Sequence, residues 1–361
     1  MDVQSRIDLI RRPPVEEIIT IRELEELLET KTAPIAYDGF EPSGLAHIAS
    51  GLMRALKIAD MLKAGIKFKL LIADWHAWIN EKMGGDLNLI QEVGKYIIKV
   101  WESLGVDTSK VEVIWASELV KDPDYWKKVV LVMKHTTLKR MTRALTIMGR
   151  TEGELQSSAQ FLYPAMQVSD IFQLGVDICQ LGIDQRKANM LAREIAERFG
   201  WHKPVCVHHH MLMGLKGPTK MGGFDEEEEL NLQIASKMSK SHPETCIYVH
   251  DPPEVIMNKV LGAYCPEKQV KLNPVLDILK NIIFRGQSFK FLIERPSKFG
   301  GSIELYSFSE LEKLYGDGRI HPLDLKKATA KYLADMLQPC REYFEQHPEY
   351  LDRLKTVAAK L

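Results

Sequence analysis

The pentapeptide KMSKS, residues 237–241, sets two lysines three residues apart among small hydroxyl side chains. Lysine ammonium groups are mobile point charges suited to phosphate, and serine hydroxyls can donate to phosphate oxygens. A second candidate lies far upstream. In EPSGLAHIASG, residues 41–51, His47 stands at the start of a helical pattern that follows a short apolar run. A helix N-terminus offers unpaired backbone N–H groups and a partial positive charge, and both suit a phosphate. A third constellation lies in YPAMQVSD, where Tyr163, Gln167 and Asp170 fall at i, i+4 and i+7, one face of a helix. A ring, an amide and a carboxylate on one face could line a pocket for a small zwitterion. Spacing alone fits an ordinary polar helix face equally well.

Two phosphate-seeking loops can meet one ligand only on a suitable scaffold. Strand-like runs at 33–37, 68–73 (FKLLIA), 111–115 (VEVIW), 177–181 and 204–208 alternate with helical patterns at 51–64, 88–104 and 185–199. The 68–73 run is almost wholly apolar, as in a parallel strand covered on both faces. This order predicts an α/β fold with a Rossmann-like, doubly wound parallel sheet, whose ligands bind beyond the carboxyl ends of the strands. Residues 217–236 hold Pro218, Gly222, Gly223 and an acidic run, and read as a solvated surface loop that could close over a nucleotide. Beyond residue 251 the pattern is mainly α-helical, with the interlude RPSKFGG at 295–301. The expected divisions are an N-terminal helical extension (1–32), a catalytic domain (33–250) and a helical C-terminal domain (251–361).

A chain of 361 residues exceeds what one core usually supports, so two domains are expected. The net charge of -1 excludes a globally basic nucleic-acid binder but leaves room for local patches. One candidate is 134–150, where Lys134, Lys139, Arg140, Arg143 and Arg150 occur with no acidic residue. Such a stripe suits a phosphate backbone, although a solvated helix face would look the same. The cysteines are five in number and form no CxxC pair, which points to reduced thiols in a cytoplasmic protein. No run approaches the ~18 apolar residues that span a membrane. The triplet His208-His209-His210 is not expected to bind metal. Neighbours on a strand face opposite ways, and no cysteine or carboxylate follows at ligand spacing. In DWHAWIN, Trp75 and Trp78 are expected in the core, with His76 packed or lining a pocket.

KMSKS paired with His47-Ile48-Ala49-Ser50, two residues removed from His-Ile-Gly-His, resembles the class I aminoacyl-tRNA synthetases. Further stretches narrow the resemblance to tyrosyl-tRNA synthetases of the archaeal and eukaryotic type. These are YDGFEPSG (37–44), LIADWHAWIN (71–80), YPAMQVSDI (163–171), DQRKANMLAREIA (184–196), RPSKFGG and HPLDLK (321–326). The resemblance implies ATP-dependent joining of tyrosine to tRNA(Tyr) through a tyrosyl-adenylate. It assigns ATP to His47, Ser50, Lys237, Met238, Ser239, Lys240 and Ser241, with His47, Lys237 and Lys240 acting in catalysis. It places Tyr37 and Asp170 on the phenol hydroxyl. Tyr163, Gln167 and Gln185 fall on the amino group, with Glu41 close by. Arg143 and Arg186 would meet the acceptor stem, and Phe299, His321 and Asp324 the anticodon. It further implies Mg2+ arriving with ATP, no resident metal, and a cytoplasmic homodimer.

Two other readings compete. A tryptophanyl-tRNA synthetase shares the architecture, but an indole N–H needs only an acceptor, whereas Tyr37 with Asp170 offers a phenol both donor and acceptor. A non-catalytic RNA-binding paralogue would explain the altered tetrapeptide but not the intact KMSKS and tyrosine set. Within that tetrapeptide, Ser50 keeps a hydrogen-bond donor, while Ala49 should reshape the wall that faces adenine.

Overall fold

The computed structural model describes residues 1–150, 152–154, 157–219, 227–240, 242–286 and 289–358. The first elements are helix α1 (Val3–Arg11), strand β1 (Val15–Ile19), helix α2 (Ile21–Thr30) and strand β2 (Ile35–Phe40). A π-helical turn (Ala49–Met53) runs into α3 (Arg54–Lys63), followed by β3 (Lys67–Ile72), α4 (Asp74–Ile79), α5 (Leu87–Ser103) and β4 (Val111–Trp115). Then come α6 (Ala116–Leu119), α7 (Pro123–Lys134), α8 (Leu138–Ala144), α9 (Leu162–Leu174), β5 (Ile178–Gly182), α10 (Arg186–Phe199), β6 (Val205–His209) and α11 (Glu228–Ser236).

The sheet has the order β1-β6-β5-β2-β3-β4, with β2 to β6 mutually parallel and β1 antiparallel at one edge. Every residue of β5 and β6 is buried, as expected for strands covered on both faces. On one face α3 and α5 pack through residues such as Ile58 and Trp101. On the other, α7, α9 and α10 pack through Val129, Val168 and Leu191. The chain leaves β2 toward β3 on one side and returns to β5 on the other. That reversal opens a crevice at the carboxyl ends of β2 and β5, where a doubly wound sheet binds ligand.

Three expectations change. The N-terminal extension is not simply helical, because β1 zips onto β6 from Val15↔His209 to Ile19↔Cys206 and completes the sheet. The 217–236 loop ends in helix α11, begun by its own glutamates, which suit a helix N-terminus. Trp78 is 42% exposed rather than core, and it meets Trp75 edge-on at 5.4 Å.

The C-terminal part holds α12 (Pro253–Leu261), α13 (Pro274–Ile278), the hairpin β7 (Phe291–Ile293) and β8 (Ile303–Leu305), α14 (Phe308–Gly316), α15 (Pro322–Gln346) and α16 (Glu349–Ala358). Helices α15 and α16 touch α5, and one hydrophobic cluster runs through both parts. A buried charge joint reinforces the contact. Arg285 donates to Asp60 Oδ2 on α3 at 2.6 Å and to the Pro13 carbonyl at 2.9 Å, and Arg12 approaches Asp60 Oδ1 at 3.5 Å.

Candidate active site

A cavity of about 440 Å³ opens at the switch point. Its walls include Tyr37, Glu41, His47, Ser50, Tyr163 and Gln167. Asp170, Gln185, Lys237, Met238, Ser239 and Lys240 line it too, so most residues singled out in the sequence converge here. Ser241 lies outside the described residues. Arg143, Arg186 and the Phe299, His321 and Asp324 set lie elsewhere.

At the closed end, α9 presents Tyr163, Gln167 and Asp170 into the cavity, as its spacing predicts. Asp170 is 1% exposed and tightly held. Tyr125 of α7 donates its hydroxyl to Oδ1 at 2.8 Å, and His76 Nε2 stands 3.1 Å from Oδ2 as an off-line charge contact. Burial works against a charged His76, but the Asp170 carboxylate outweighs it and raises the imidazole pKa. Among the described residues the buried Tyr37 hydroxyl has no partner. A buried hydroxyl without a partner is costly, so this one fits a site awaiting a polar ligand atom. Asp170 and Tyr37 together can accept from and donate to a phenol.

Glu41 is fixed from outside. Asn80 Nδ2 donates to Glu41 Oε1 at 2.8 Å, and Arg150 Nε donates to Asn80 Oδ1 at 2.7 Å. Arg150 therefore leaves the expected basic stripe and turns inward. Arg140 pairs with Glu194 at 2.7 Å, while Lys134, Lys139 and Arg143 stay exposed across α7 and α8. The stripe is thus split between two helices. Arg186 opens α10, where Glu17 of β1 holds its Nε at 3.0 Å.

At the open end, the His47-Ile48-Ala49-Ser50 turn lies under the chain that follows KMSKS, with Ile48 N–H donating to the Ile247 carbonyl at 2.9 Å. Gly51 is needed there, since a Cβ would lie 2.5 Å from Val249 Cγ1. Ser50 N–H donates to His47 Nδ1 at 3.4 Å, which leaves the ring proton on Nε2. Burial, then Lys240 and Lys237, push the His47 pKa down to about 3. His47 is thus a neutral donor. Ser50 Oγ spends its own proton on the His47 carbonyl at 3.2 Å.

The two KMSKS lysines are parked on local acceptors. Lys237 Nζ meets Asp184 Oδ2 at 3.1 Å, and Lys240 Nζ donates to Ser43 Oγ at 3.1 Å and to the Gly44 carbonyl at 3.3 Å. Burial works to raise the Asp184 pKa, but Lys237 prevails and lowers it. Sequence reasoning missed Asp184, Lys82 and Arg54, all lining the cavity. Asp184 had a signal, since it stands at the strand end directly before Gln185. Tyr125 had none.

In the C-terminal part, Phe299 is 61% exposed on a turn after β7, with Lys298 Nζ 5.0 Å from its ring centre. His321 caps α15, its Nδ1 accepting from Leu323 N–H at 3.2 Å, and Asp324 sits in the first turn. Arg295 joins the two segments by donating to the Gly301 carbonyl at 2.5 Å and to that of Arg319 at 3.0 Å.

The model for tRNA synthetases class I (W and Y) matches residues 29–235 and 230–338. The tyrosine–tRNA ligase of Thermococcus sibiricus is 46% identical over 99% of both chains. The chain belongs to the tyrosyl-tRNA synthetases of class I. Its likeness to the tyrosine–tRNA ligase of Sulfolobus acidocaldarius is 47%, over 99% of this chain and 98% of the relative. The crystal structure of tyrosyl-tRNA synthetase from Pyrococcus horikoshii complexed with L-tyrosine superposes with a TM-score of 0.91. It is 45% identical and covers 99% of this chain and 100% of that one. One cavity brings the Tyr37 and Asp170 pair together with His47 and the KMSKS lysines.

Proposed function

We propose that the chain activates tyrosine with ATP and passes the tyrosyl group to the 3′ end of tRNA(Tyr). The unpartnered Tyr37 hydroxyl beside Asp170 carries the choice of tyrosine. The phenol donates to Asp170 and accepts from Tyr37, while Glu41, Tyr163, Gln167 and Gln185 surround the ammonium group. The tyrosine carboxylate then attacks the α-phosphorus, a bond forms from carboxylate oxygen to phosphorus, and pyrophosphate leaves. Such transfers depend on alignment and charge stabilisation. His47 Nε2–H donates to a phosphate oxygen, and Lys237 and Lys240 leave their parking acceptors to meet the departing pyrophosphate. Magnesium enters this reading as a companion of ATP, held through substrate phosphates.

In the second step the tRNA lies along Arg143 and Arg186, with Phe299 and His321 flanking an anticodon base and Asp324 accepting from its edge. Exposure of Phe299 supports this, since a stacking ring must be reachable. Exposed Val130, Met133 and Leu138 on α7 and α8 provide an apolar face for a homodimer. Among the described residues no helix is long and apolar enough to cross a membrane.

Amino-acid-dependent exchange of pyrophosphate into ATP tests the reading. Tyrosine supports exchange and tryptophan does not; exchange with tryptophan alone would overturn the assignment, and exchange with neither would leave an RNA-binding protein. His321→Ala keeps full exchange but, in a separate aminoacylation assay, raises KM for tRNA roughly tenfold or more, in line with about 1–3 kcal/mol for a stacked base. Lost exchange in that variant would refute an anticodon role.

Lys240 makes ATP binding pH-dependent. Burial, then the neighbouring Lys82, lower its pKa to about 7. In the free protein it loses its proton as pH rises through that value, yet phosphate prefers the charged form. ATP binding above neutrality therefore takes up a proton. KM for ATP should climb with pH from about 7 to 8.5, approaching about tenfold per unit. Lys240→Arg should flatten the rise, and a flat wild-type profile would contradict a phosphate role for Lys240.

A further inference from the structure

The His47-Ile48-Ala49-Ser50 turn has lost donors to itself. A histidine in the fourth position would offer a ring N–H, but Ser50 Oγ is turned back onto the His47 carbonyl at 3.2 Å and also accepts from His47 N–H at 3.2 Å. The turn thus shows the nucleotide His47 alone. One helical turn beyond Ser50 stands Arg54, the first residue of α3, which lines the same cavity with a side chain only 14% exposed.

The guanidinium is anchored at one corner. Its Nη1 stands 3.0 Å from Asp38 Oδ1, in a wholly buried ion pair partner, and donates to the Gly39 carbonyl at 3.2 Å. The cation also packs on the Phe40 ring, its Cζ 5.2 Å from the centroid. Asp38 and Gly39 belong to the end of β2, so the strand that forms the switch point fixes the arginine. The other edge of the fork is unspent. Among the described residues Nε is a buried donor with no partner, and Nη2 has no acceptor either. A planar pair of unpaired N–H donors suits two oxygen acceptors.

We infer that Arg54, held by Asp38 and the Gly39 carbonyl, is a nucleotide-binding residue that supplies the donors the Ser50 turn withholds. This rests on the ATP-dependent reading of the cavity given above. The acceptors are oxygens of the ATP ribose–phosphate chain. Arg54 is close enough to depress the His47, His209 and Lys240 pKa values alongside larger causes, which places it on the same polyanion field.

Pyrophosphate exchange tests the inference. Removing Arg54 alone would leave Asp38 buried without its cation, so the informative variant is Asp38→Asn combined with Arg54→Met. A thermal melt and equilibrium tyrosine binding check its fold. KM for ATP should rise roughly 10- to 100-fold, the usual worth of hydrogen bonds from a charged donor, while tyrosine affinity stays within about twofold. Arg54→Lys should recover only part of the loss, since it restores charge without the fork. In a Ser50→His background the same double change should cost at least threefold less, because the turn then offers its own donor. KM for pyrophosphate in the reverse reaction separates the two sources of oxygen. It rises with that for ATP if the contact is to phosphate and stays put if it is to ribose. Unchanged KM for ATP in a folded variant that still exchanges with tyrosine would overturn the role of Arg54. An equal cost in both Ser50 backgrounds would overturn the compensation. Failure of wild-type protein to exchange with any amino acid would instead strike the underlying reading.

Discussion

Asp170→Ala lowers kcat/KM for tyrosine roughly 10²- to 10³-fold more than it lowers that for phenylalanine. The asymmetry is the point of the prediction. Asp170 receives Tyr125 Oη and stands against His76, so the substitution also loosens two buried neighbours. That loosening falls on both amino acids alike and cancels in the ratio. What remains is the phenol hydroxyl, which loses its acceptor. Phenylalanine has no hydroxyl to lose, and its rejection by the intact site comes from leaving Tyr37 and Asp170 unpaired. Tyrosyl-tRNA synthetases are themselves the standard case of this effect, with a ratio of about 10⁵. Steady-state exchange kinetics with both amino acids measure it, and a proportional fall for both would remove Asp170 from recognition.

Lys240→Ala and Lys237→Ala each slow adenylate formation by roughly 10²- to 10³-fold, the usual cost of losing one preorganised charge on a developing anion. Tyrosine binding changes little, because neither ammonium touches the closed end of the cavity. Both lysines rest on protein acceptors, Ser43 with Gly44 and Asp184. Phosphate contacts that strengthen as pyrophosphate departs alter the rate beyond their share in ATP binding, and they do not alter tyrosine affinity. Single-turnover adenylate formation beside equilibrium tyrosine binding separates the two. Equal losses in both would refute a transition-state role. Lys240 is the cleaner probe, since removing Lys237 also leaves the partly buried Asp184 without its cation.

Much of this machine is legible in one dimension, for identifiable reasons. A parallel strand covered on both faces is nearly all apolar, so FKLLIA announces β3, while VEVIW announces the edge strand β4 by β-branched residues alternating with an exposed Glu112. Tyr163, Gln167 and Asp170 are legible because helix periodicity fixes which side chains share a face. Partnerships across the fold are not. Tyr125 reaches Asp170 from 45 residues away, Asn80 reaches Glu41 from 39, and Arg150 reaches Asn80 from 70. No local pattern encodes those distances. Strand β1 was hidden because VEEII gains its form from β6, a partner 191 residues on at Glu17↔His208. Trp78 looks like core because it is large and apolar, yet it is exposed, while Trp75 is half-buried against the core beside Trp126.

The joint at Arg285 bears on how the chain can be cut. Asp60 is nearly buried, and Arg285 and Arg12 are the cations that meet it. One comes from the C-terminal part and the other from the N-terminal segment. A fragment that stops before residue 285 would leave a carboxylate in the interior with half its compensation gone, and would bare the apolar faces of α3 and α5. Breaking a buried pair in this way costs about 3–5 kcal/mol, a large share of a domain's stability. The two halves are therefore one folding unit, not interchangeable cartridges. The anticodon specificity proposed for the C-terminal part is better re-engineered by substitution within the intact chain than by grafting a foreign C-terminal half.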